Sequence, residues 1–600
     1  MNIILIAGIV ITALTVIPVI WQLSRHPRGL YILFFAEMWE RFSYYGMRGL
    51  LIFYLTEHFL LNDETAQQSY ATYTSLVYLM PLIGGYLADK YLGTRKAIAF
   101  GALLLVAGHF SMMFEGREAT QTLTYQGQTY QFSATGRMED RQVRLVIDGQ
   151  PYEVGAAEGG GIEIKGFAGT PALPNILPKG SYELGVTGVD ETARGILFMA
   201  MALIIMGVGF LKANISSIVG QLYADNDPRR DPGFTLYYYG INLGAFWASI
   251  LCAMFADEFG WYAGFGLAGL GMAVGYVVFV LGKPLLEGKG EPPEPEKLAE
   301  PVLGPLNREW LIYGLALVGV AAVWYLLQIN TSQAVDILGF SASPLFLLLT
   351  LGSVGVLLYF FYHMLTVFTW VESQRVILAL VLIAASVVFW ALFEQAGSSL
   401  NQFAERNTVL EVAGRPISAA QTQSYNAGFI LILAPIFSAL WAYLGTRRAD
   451  PRPAEKFGIA LIQAGLGFLV LVYGAQTADE NHRVAQIWLI LAYLLHTTGE
   501  LCISPVGLSQ MTRLAPSIVI STVMAAWFLA SAWAQYVAGF IAKLTAAETV
   551  AGEVLDPKGA LATYVQTFWD IGLLGMAIGA GLLLLSPFLN FLAHEDKPKE

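Results

Sequence analysis

Apolar runs of about 20 residues recur along the chain, separated by short polar segments. Each run is long enough to cross a hydrocarbon layer of ~30 Å as a helix. Backbone groups in lipid must find partners inside their own segment, so the runs are predicted to be helices rather than open sheet. The length criterion gives about fifteen spans, and hence an all-α polytopic membrane protein. The first run, Ile3 to Ile20, is long, lacks a basic start and has no small-residue cleavage site before Arg25. It is therefore expected to be a retained helix and not a signal peptide.

The apolar rhythm fails in two places. Between Arg117 and Glu191 the sequence alternates polar and apolar residues, in TLTYQGQTYQFSATG and in RQVRLVIDGQPYEV around Asp148-Gly149. Period-two alternation around a hairpin-turn dipeptide predicts a small β-rich domain. Pro151 suits an edge strand, and Gly159-Gly160-Gly161 reads as a loop. The plainer expectation is a self-contained structural insert without a ligand, joined to helix ends at Glu115 and Thr192. The second break, Pro284 to Pro305, is charged and proline-rich, as expected of a linker between two halves.

These breaks set off the β-rich insert (117–191) and a linker (284–307) that separates six core helices from the rest of the chain.

Basic loops orient such a chain, because Lys and Arg stay on the cytoplasmic side. Arg25 to Arg28, Lys90 to Lys96, Arg229 and Arg230, Lys283 to Arg308, Arg375, Arg447 to Lys456, Arg513 and the tail with Lys597 and Lys599 are basic. The segments between them, such as His58 to Gln67, Asp257 to Gly260, Asn330 to Ser343 and Gln476 to His482, are poor in Lys and Arg. The expected arrangement is an outer N-terminus, an extracytoplasmic insert and a cytoplasmic C-terminus, in a plasma (inner) membrane. Arg406, Arg415, Lys543 and Lys558 are expected in outer loops and run against the rule.

Composition agrees with the pattern. The 600 residues are 56% hydrophobic and 13% charged, against roughly 25% charged in soluble proteins. A net charge of −11 argues against nucleic-acid binding. The two cysteines, Cys252 and Cys502, both lie in apolar segments, so no disulfide framework is expected.

Ionisable residues at bilayer depth cost ~2.5–3.5 kcal/mol each on insertion scales and therefore tend to face a cavity or a partner. Glu37, Glu40, Arg41, Tyr44, Tyr45 and Arg48 fall in one apolar segment. At about 100° per residue they occupy roughly 140° of arc, so one face of this helix is expected to line a polar cavity. Lys212, Glu394 and Glu500 lie in three other apolar segments, on both sides of the linker. Glu37, Glu40, Glu394 and Glu500 outnumber Arg41, Arg48 and Lys212 by one. A lone buried charge tends to neutralise, leaving one carboxylate to carry a proton. The competing reading is a set of ion pairs that only hold the bundle together. A mixed set around an open cavity suits a zwitterion better, since its two ends can replace internal pairs without adding net charge.

Weaker signals have plainer explanations. His496 and Glu500, four residues apart, could share a metal, but no second ligand pair accompanies them, and a packed histidine is the better reading. Gly207-Val208-Gly209 lacks the ending of a phosphate loop and fits close helix packing. Tyr78, Trp390, Trp527 and Phe528, taken alone, are packing residues or lipid anchors.

Several of these segments resemble known motifs. GGYLADKYLGTRK, Gly84 to Lys96, resembles the cytoplasmic loop motif of the major facilitator superfamily, with Asp89, Arg95 and Lys96 in place. EMWERFSYYGMR (Glu37 to Arg48), GVGFLKANIS (Gly207 to Ser216), YYYGINLGAF (Tyr237 to Phe246), WALFEQAGSSL (Trp390 to Leu400) and GELCISPVGLS (Gly499 to Ser509) resemble the proton-dependent oligopeptide transporter family, in order and across both halves.

The resemblance implies two six-helix halves, with helices 1–3 in 28–116, helices 4–6 in 192–283 and helices 7–12 in 367–594, preceded by an extra N-terminal helix (1–27) and followed by a tail (595–600), and a helical hairpin (308–366) between the halves, here Glu309 to Gln328 and Pro344 to Leu365. It implies proton coupling at Glu37, Glu40, Arg41 and Glu394. Arg48 with Glu394 would form an outer charge pair, and Lys212 with Glu500 a pair towards a cytoplasmic gate. Arg41 and Lys212 would receive a peptide carboxylate, and Glu500 with Asn242 and Asn426 its amino end. Tyr44, Tyr45, Tyr78, Trp390, Trp527, Phe528 and Ser531 would wall the side-chain pockets. The extra first helix and the insert depart from the common family pattern.

The resulting expectation is a proton-driven symporter of di- and tripeptides, working by alternating access around a midplane site. Its partners would be peptides, protons and the lipid bilayer, and it would act as a monomer. No metal, no cofactor beyond the proton gradient and no enzymatic activity are expected. Rival readings are the same scaffold carrying another small solute, a membrane enzyme, for which no HExxH or Ser/His pair at depth speaks, and a receptor without turnover.

Overall fold

The computed structural model describes residues 3–594 except 139–140, 158–159, 225–226, 333–334, 338–339 and 413. The tail with Lys597 and Lys599, and Gly159 of the glycine run, lie outside the described residues. The first helix, α1 (Ile3–Leu23), precedes a half made of α2 (Arg28–Phe53, prolonged by a π turn at Tyr54–His58), α3 (Asp63–Leu79), α4 (Pro81–Leu87), α5 (Thr94–Ser111), α6 (Glu191–Gln221), α7 (Arg230–Phe259) and α8 (Trp261–Leu281). A short α9 (Pro295–Ala299) leads to the hairpin α10 (Arg308–Ser332) and α11 (Pro344–Thr366). The second half contains α12 (Trp370–Phe393), α13 (Ser399–Asn407), α14 (Ala419–Thr422), α15 (Ser424–Thr446), α16 (Pro453–Ala475), α17 (Gln486–Leu514), α18 (Ile520–Lys543) and α19 (Pro557–Ala593). Among the described residues, twelve helical segments are long and apolar enough to cross a membrane. The polar helices α2, α3 with α4, and α5 run beside them in the first half.

Helix starts are set by local chemistry. Asn62, Asp190, Ser343 and Asp556 each accept a hydrogen bond from the backbone N–H three residues on, which satisfies a donor that the first turn leaves open. Thr369 and Glu372 cap α12 reciprocally. Close crossing uses glycine: a Cβ on Gly207 would lie 2.7 Å from the Gly101 carbonyl, and one on Gly84 only 2.1 Å from that of Gly209. The Gly207-Val208-Gly209 run thus belongs to the α4/α5/α6 crossing, as small residues at a membrane-helix contact should.

The halves meet along α3/α18 and α7/α15. Two accessory elements straddle this seam. Helix α1 lies on α7 and α15, with Trp247 Nε1 donating to Thr12 Oγ1 (2.9 Å) and Thr15 sharing a hydrogen bond with Tyr239 (2.7 Å). Its other face, with Ile9, Leu14, Ile17 and Trp21, is exposed and fits a lipid surround. In the hairpin, α10 packs on α3 and α6 and α11 on α18, tied by Asn330 Nδ2 to Thr72 Oγ1 (2.7 Å) and by Trp533 Nε1 to Ser353 Oγ (2.8 Å).

The linker is more ordered than its composition suggests. Arg95 holds Glu291 with two hydrogen bonds (2.8 and 2.9 Å), and Gly290 N donates to Gln221 Oε1 (3.0 Å). Lys96 pairs with Glu309 at 2.6 Å. Arg95 of the Gly84–Lys96 motif therefore anchors the linker through Glu291, and Lys96 anchors the start of α10 through Glu309.

The insert forms a seven-stranded antiparallel sheet: β1 (Thr120–Tyr125), β2 (Gln128–Thr135), β3 (Gln142–Ile147), β4 (Gln150–Ala157), β5 (Gly161–Ile164), β6 (Ile176–Leu177) and β7 (Tyr182–Thr187), ordered β6-β5-β4-β3-β2-β1-β7. The Asp148-Gly149 turn has positive φ at both residues (51° and 79°), the twist a two-residue hairpin favours. Two expectations need correction. Strand β4 is interior to the sheet, yet Pro151 pairs with Val146 of β3 in a stretch that β5 does not reach, so its missing N–H costs no bond on that side. Nor is the insert self-contained. Leu123, Phe132, Leu145 and Ile147 share one apolar core with Leu60 beyond α2 and with Val550, Ala551 and Leu555 between α18 and α19.

Candidate functional site

Helix α2 presents its charged stripe to the interior. Glu37, Glu40, Arg41, Tyr44 and Arg48 are buried, and Tyr45 is half-buried. The 3.6-residue period places Glu37 and Arg41 one turn apart, and Arg41 Nε lies 2.8 Å from Glu37 Oε1 and 2.9 Å from Glu40 Oε2. Two carboxylates thus share one guanidinium. Glu37 Oε2 and Glu40 Oε1 have no hydrogen-bond partner among the described residues. One guanidinium does not compensate both carboxylates fully, and an uncompensated buried carboxylate is costly.

One face of the bundle carries the β domain, and the opposite face carries the linker. Arg48 points towards the β-domain face and crosses the seam to pair with Glu394, while its Nε donates to Tyr70 OH (2.6 Å). A Cβ on Gly397 would sit 2.0 Å from that hydroxyl and 2.8 Å from the guanidinium, so glycine is what lets α12's end close over the pair. Further out, Arg406 of α13 binds Asp63 of α3 through both nitrogens (2.7 and 2.9 Å), Gln67 Nε2 donates to Gln402 Oε1 (2.6 Å), and Asn401 Nδ2 donates to the Gly49 carbonyl (3.1 Å). This side of the cavity is shut by direct contact between the halves.

Lys212 of α6 stands over the Tyr78 ring, 3.5 Å from its centroid, a cation–π contact that partly compensates a desolvated ammonium. Glu500 Oε2 accepts from Asn426 Nδ2 (3.0 Å), which also reaches Thr497 Oγ1 (3.0 Å). The expected Lys212–Glu500 pair is therefore not made: each group has a partner in its own half. Asn242 Nδ2 donates to the Tyr238 carbonyl of its own helix (2.9 Å).

The expected pocket walls divide between the cavity and ordinary packing. Tyr44 and Tyr45 meet edge to face (5.3 Å), and the Tyr44 hydroxyl has no hydrogen-bond partner among the described residues. Trp390 packs on Phe389 and Phe393. Trp527, Phe528 and Ser531 are half-buried on α18, the Trp527 ring lies beside Gly507, and Ser531 Oγ donates back to the Trp527 carbonyl (3.0 Å). His496 Nε2 contacts the Ala464 carbonyl (3.0 Å), and its ring lies against Phe468 and Gly467, which is a packed histidine.

The sequence reading missed Tyr70, Asp63 and Arg406. The last two were assigned to solvated loops, yet their side chains are 1% and 4% exposed. A signal existed for Arg406, a cation on a segment otherwise poor in Lys and Arg.

Comparisons with known proteins follow this geometry. The model of the POT family matches residues 95–558. The "Uncharacterized transporter YclF" of Bacillus subtilis (strain 168) is 32% identical over 574 residues, covering 94% of each chain. "Dipeptide and tripeptide permease A" of Cronobacter turicensis is 29% identical, covering 96% of this chain and 95% of its own. A crystal structure of a mutant peptide transporter POT in complex with alafosfalin superposes with a TM-score of 0.69 at 32% identity, covering 94% of this chain and 96% of its own. Another, of a POT family transporter with a thioalcohol conjugated peptide, gives 0.68 at 29% identity, covering 94% and 97%. Matching architecture, motifs and near-complete mutual coverage have one reading, and this chain belongs to the POT family of membrane transporters.

Proposed function

We propose that this protein imports di- and tripeptides together with protons, by alternating access between its two halves. The observation that carries the reading is the α2 stripe, where Glu37 and Glu40 share Arg41. It supplies two carboxylates on one cation, so that a proton taken by one of them releases Arg41 to receive a peptide carboxylate. Lys212, without a carboxylate within ion-pair distance among the described residues, offers a second anion-binding group. Glu500 with Asn426 offers an acceptor for the peptide ammonium. A zwitterion fits such a set with no change in net charge, and binding at the interface of two repeats is the common arrangement in secondary transporters.

The permease names of relatives and the peptide ligands of the superposed structures support the substrate class. A complex of another relative with 5-aminolevulinic acid supports a second reading, in which other small amino-carboxylates share the site. The lysines and arginines of the loops on the linker face, Lys90, Arg95, Lys96, Arg229, Arg230 and Lys283 among them, support a cytoplasmic linker face and an outer β-domain face, which makes the closed side the outer one.

The test is uptake of a labelled dipeptide into proteoliposomes with an imposed inward proton gradient. Free di- and tripeptides should compete strongly, and the C-terminal amide and N-acetyl forms weakly. Equal competition by the blocked forms would contradict recognition of both charged ends.

A further inference from the structure

The β domain is part of the first half by covalent connection, since it is spliced between α5 and α6. Its docking surface, however, combines the end of α2 in the first half with the loop between α18 and α19 of the second half. Arg141, buried ahead of β3, joins the two. Its Nε donates to the Ala551 carbonyl (2.8 Å), its Nη2 to the Glu57 carbonyl at the end of α2 (3.0 Å), and its guanidinium lies 3.2 Å from Glu118 and 3.6 Å from the Glu57 carboxylate. Glu57 Oε2 in turn accepts from Met138 N (3.1 Å), and Ala119 N donates to the His58 carbonyl (3.0 Å). A Cβ on Gly552 would touch both Glu57 and Arg141 (3.2 and 3.4 Å). At the rim Lys179 pairs with Glu548 (3.1 Å), and next to it Ala547 N donates to Asp63 (2.9 Å).

Residues 547–555 are therefore gripped by the first half from two sides, α3 and the β domain. The turn at their tip is held in a strained form, with Ala551 at φ 49°, a region in which a Cβ crowds the following carbonyl. The apolar part of the contact is small (Leu60, Val550, Ala551 and Leu555 against the sheet core). Beside it lies a polar cavity of about 380 Å³ edged by Arg144, Glu153 and Glu553. An interface with few apolar contacts, centred on one arginine and bordered by a polar cavity, is suited to repeated breaking and remaking.

We infer that the β domain is a clasp across the two halves, which grips the α18–α19 loop while the outer side is closed and must release it for that side to open. Opening parts α3 from α18, and the loop cannot leave α3 while it remains held by a domain tethered to α5 and α6.

The inference rests on the transport reading, and its test separates the two. Lys179→Cys with Glu548→Cys places one thiol on each side of the clasp, the native Cys252 and Cys502 being buried. After folding and reconstitution, a short bis-maleimide or a reducible equivalent closes the pair. Crosslinking should lower both gradient-driven uptake and peptide counterflow at least tenfold, with dipeptide binding unchanged and transport restored by reductant. Uptake at the uncrosslinked rate would overturn the clasp, because the domain would then travel with the second half. Should the open pair itself carry no peptide, the transport reading fails. The clasp is then read from hydrogen–deuterium exchange over residues 400–407 and 545–556, which crosslinking should slow. Unaltered exchange there would overturn it as well.

Discussion

Removing Arg406 tests whether the outer closure stores the free energy that the buried pairs imply. Asp63 is 1% exposed and takes two hydrogen bonds from Arg406, at 2.7 and 2.9 Å. Arg406→Leu leaves that carboxylate buried without its cation, which costs ~3–5 kcal/mol when nothing compensates. Ala547 N at 2.9 Å and Gln402 Nε2 at 3.4 Å remain, and a hydrogen bond to a charged group returns ~1.5–3 kcal/mol. A net penalty of about 1.5–2 kcal/mol falls only on the closed state, because opening hydrates Asp63, so the equilibrium should shift about 10- to 30-fold towards the form open on that side. Spin labels at Glu64→Cys and Glu480→Cys, exposed on opposite halves, report this as a rise in the longer-distance population. Adding Asp63→Asn should reverse most of the shift. An unchanged distance distribution in Arg406→Leu would refute the argument.

Three further outcomes follow from the cavity and the clasp. Glu37→Gln or Glu40→Gln should abolish proton-driven accumulation while counterflow of labelled dipeptide persists, and full accumulation in both variants would remove the shared Arg41 from coupling. Lys212→Ala and Arg41→Ala should each weaken binding of a free dipeptide at least tenfold more than binding of its C-terminal amide, measured by calorimetry. Docking of the β domain should depend on pH. Burial pushes Glu57 from 4.5 up to about 7 against the pull of Arg141, with Glu405 and Asp257 also nearby, and burial with Glu57 pushes Glu553 up to about 7, opposed by Arg141 and Arg406. With Glu118 on the same guanidinium, the docked state binds protons more tightly than the free one. Docking is thus firmest below about pH 4.5 and loosens as pH rises towards about 7. The short-distance population between spin labels at Lys179→Cys and Glu548→Cys should fall over that window, and the fall should flatten when Glu57→Gln is added.

Much of this was legible in the sequence because membrane burial makes polarity informative. The α2 stripe was visible since no charge survives at that depth without a reason, and the structure gathers Glu37, Glu40 and Arg41 as helical spacing requires. The Asp148-Gly149 turn was visible because few dipeptides tolerate two positive φ values. What was not legible depended on contacts distant in sequence. Asp63 and Arg406 lie 343 residues apart and look like loop residues until the halves close. Lys212 and Glu500 carry the expected charges, but whether they meet depends on which side of the cavity is shut. The docking of the insert was hidden for the same reason: its core is completed by Val550, Ala551 and Leu555, which nothing in the alternation of residues 117–191 anticipates.

The central claim is that peptide and proton move together through the cavity, and lumenal pH recorded alongside peptide uptake tests it most directly. In proteoliposomes at symmetrical pH, clamped against membrane potential, adding a dipeptide outside should acidify the lumen as the peptide enters, and Glu40→Gln should remove the acidification. Entry of peptide at an unchanged lumenal pH would contradict the account.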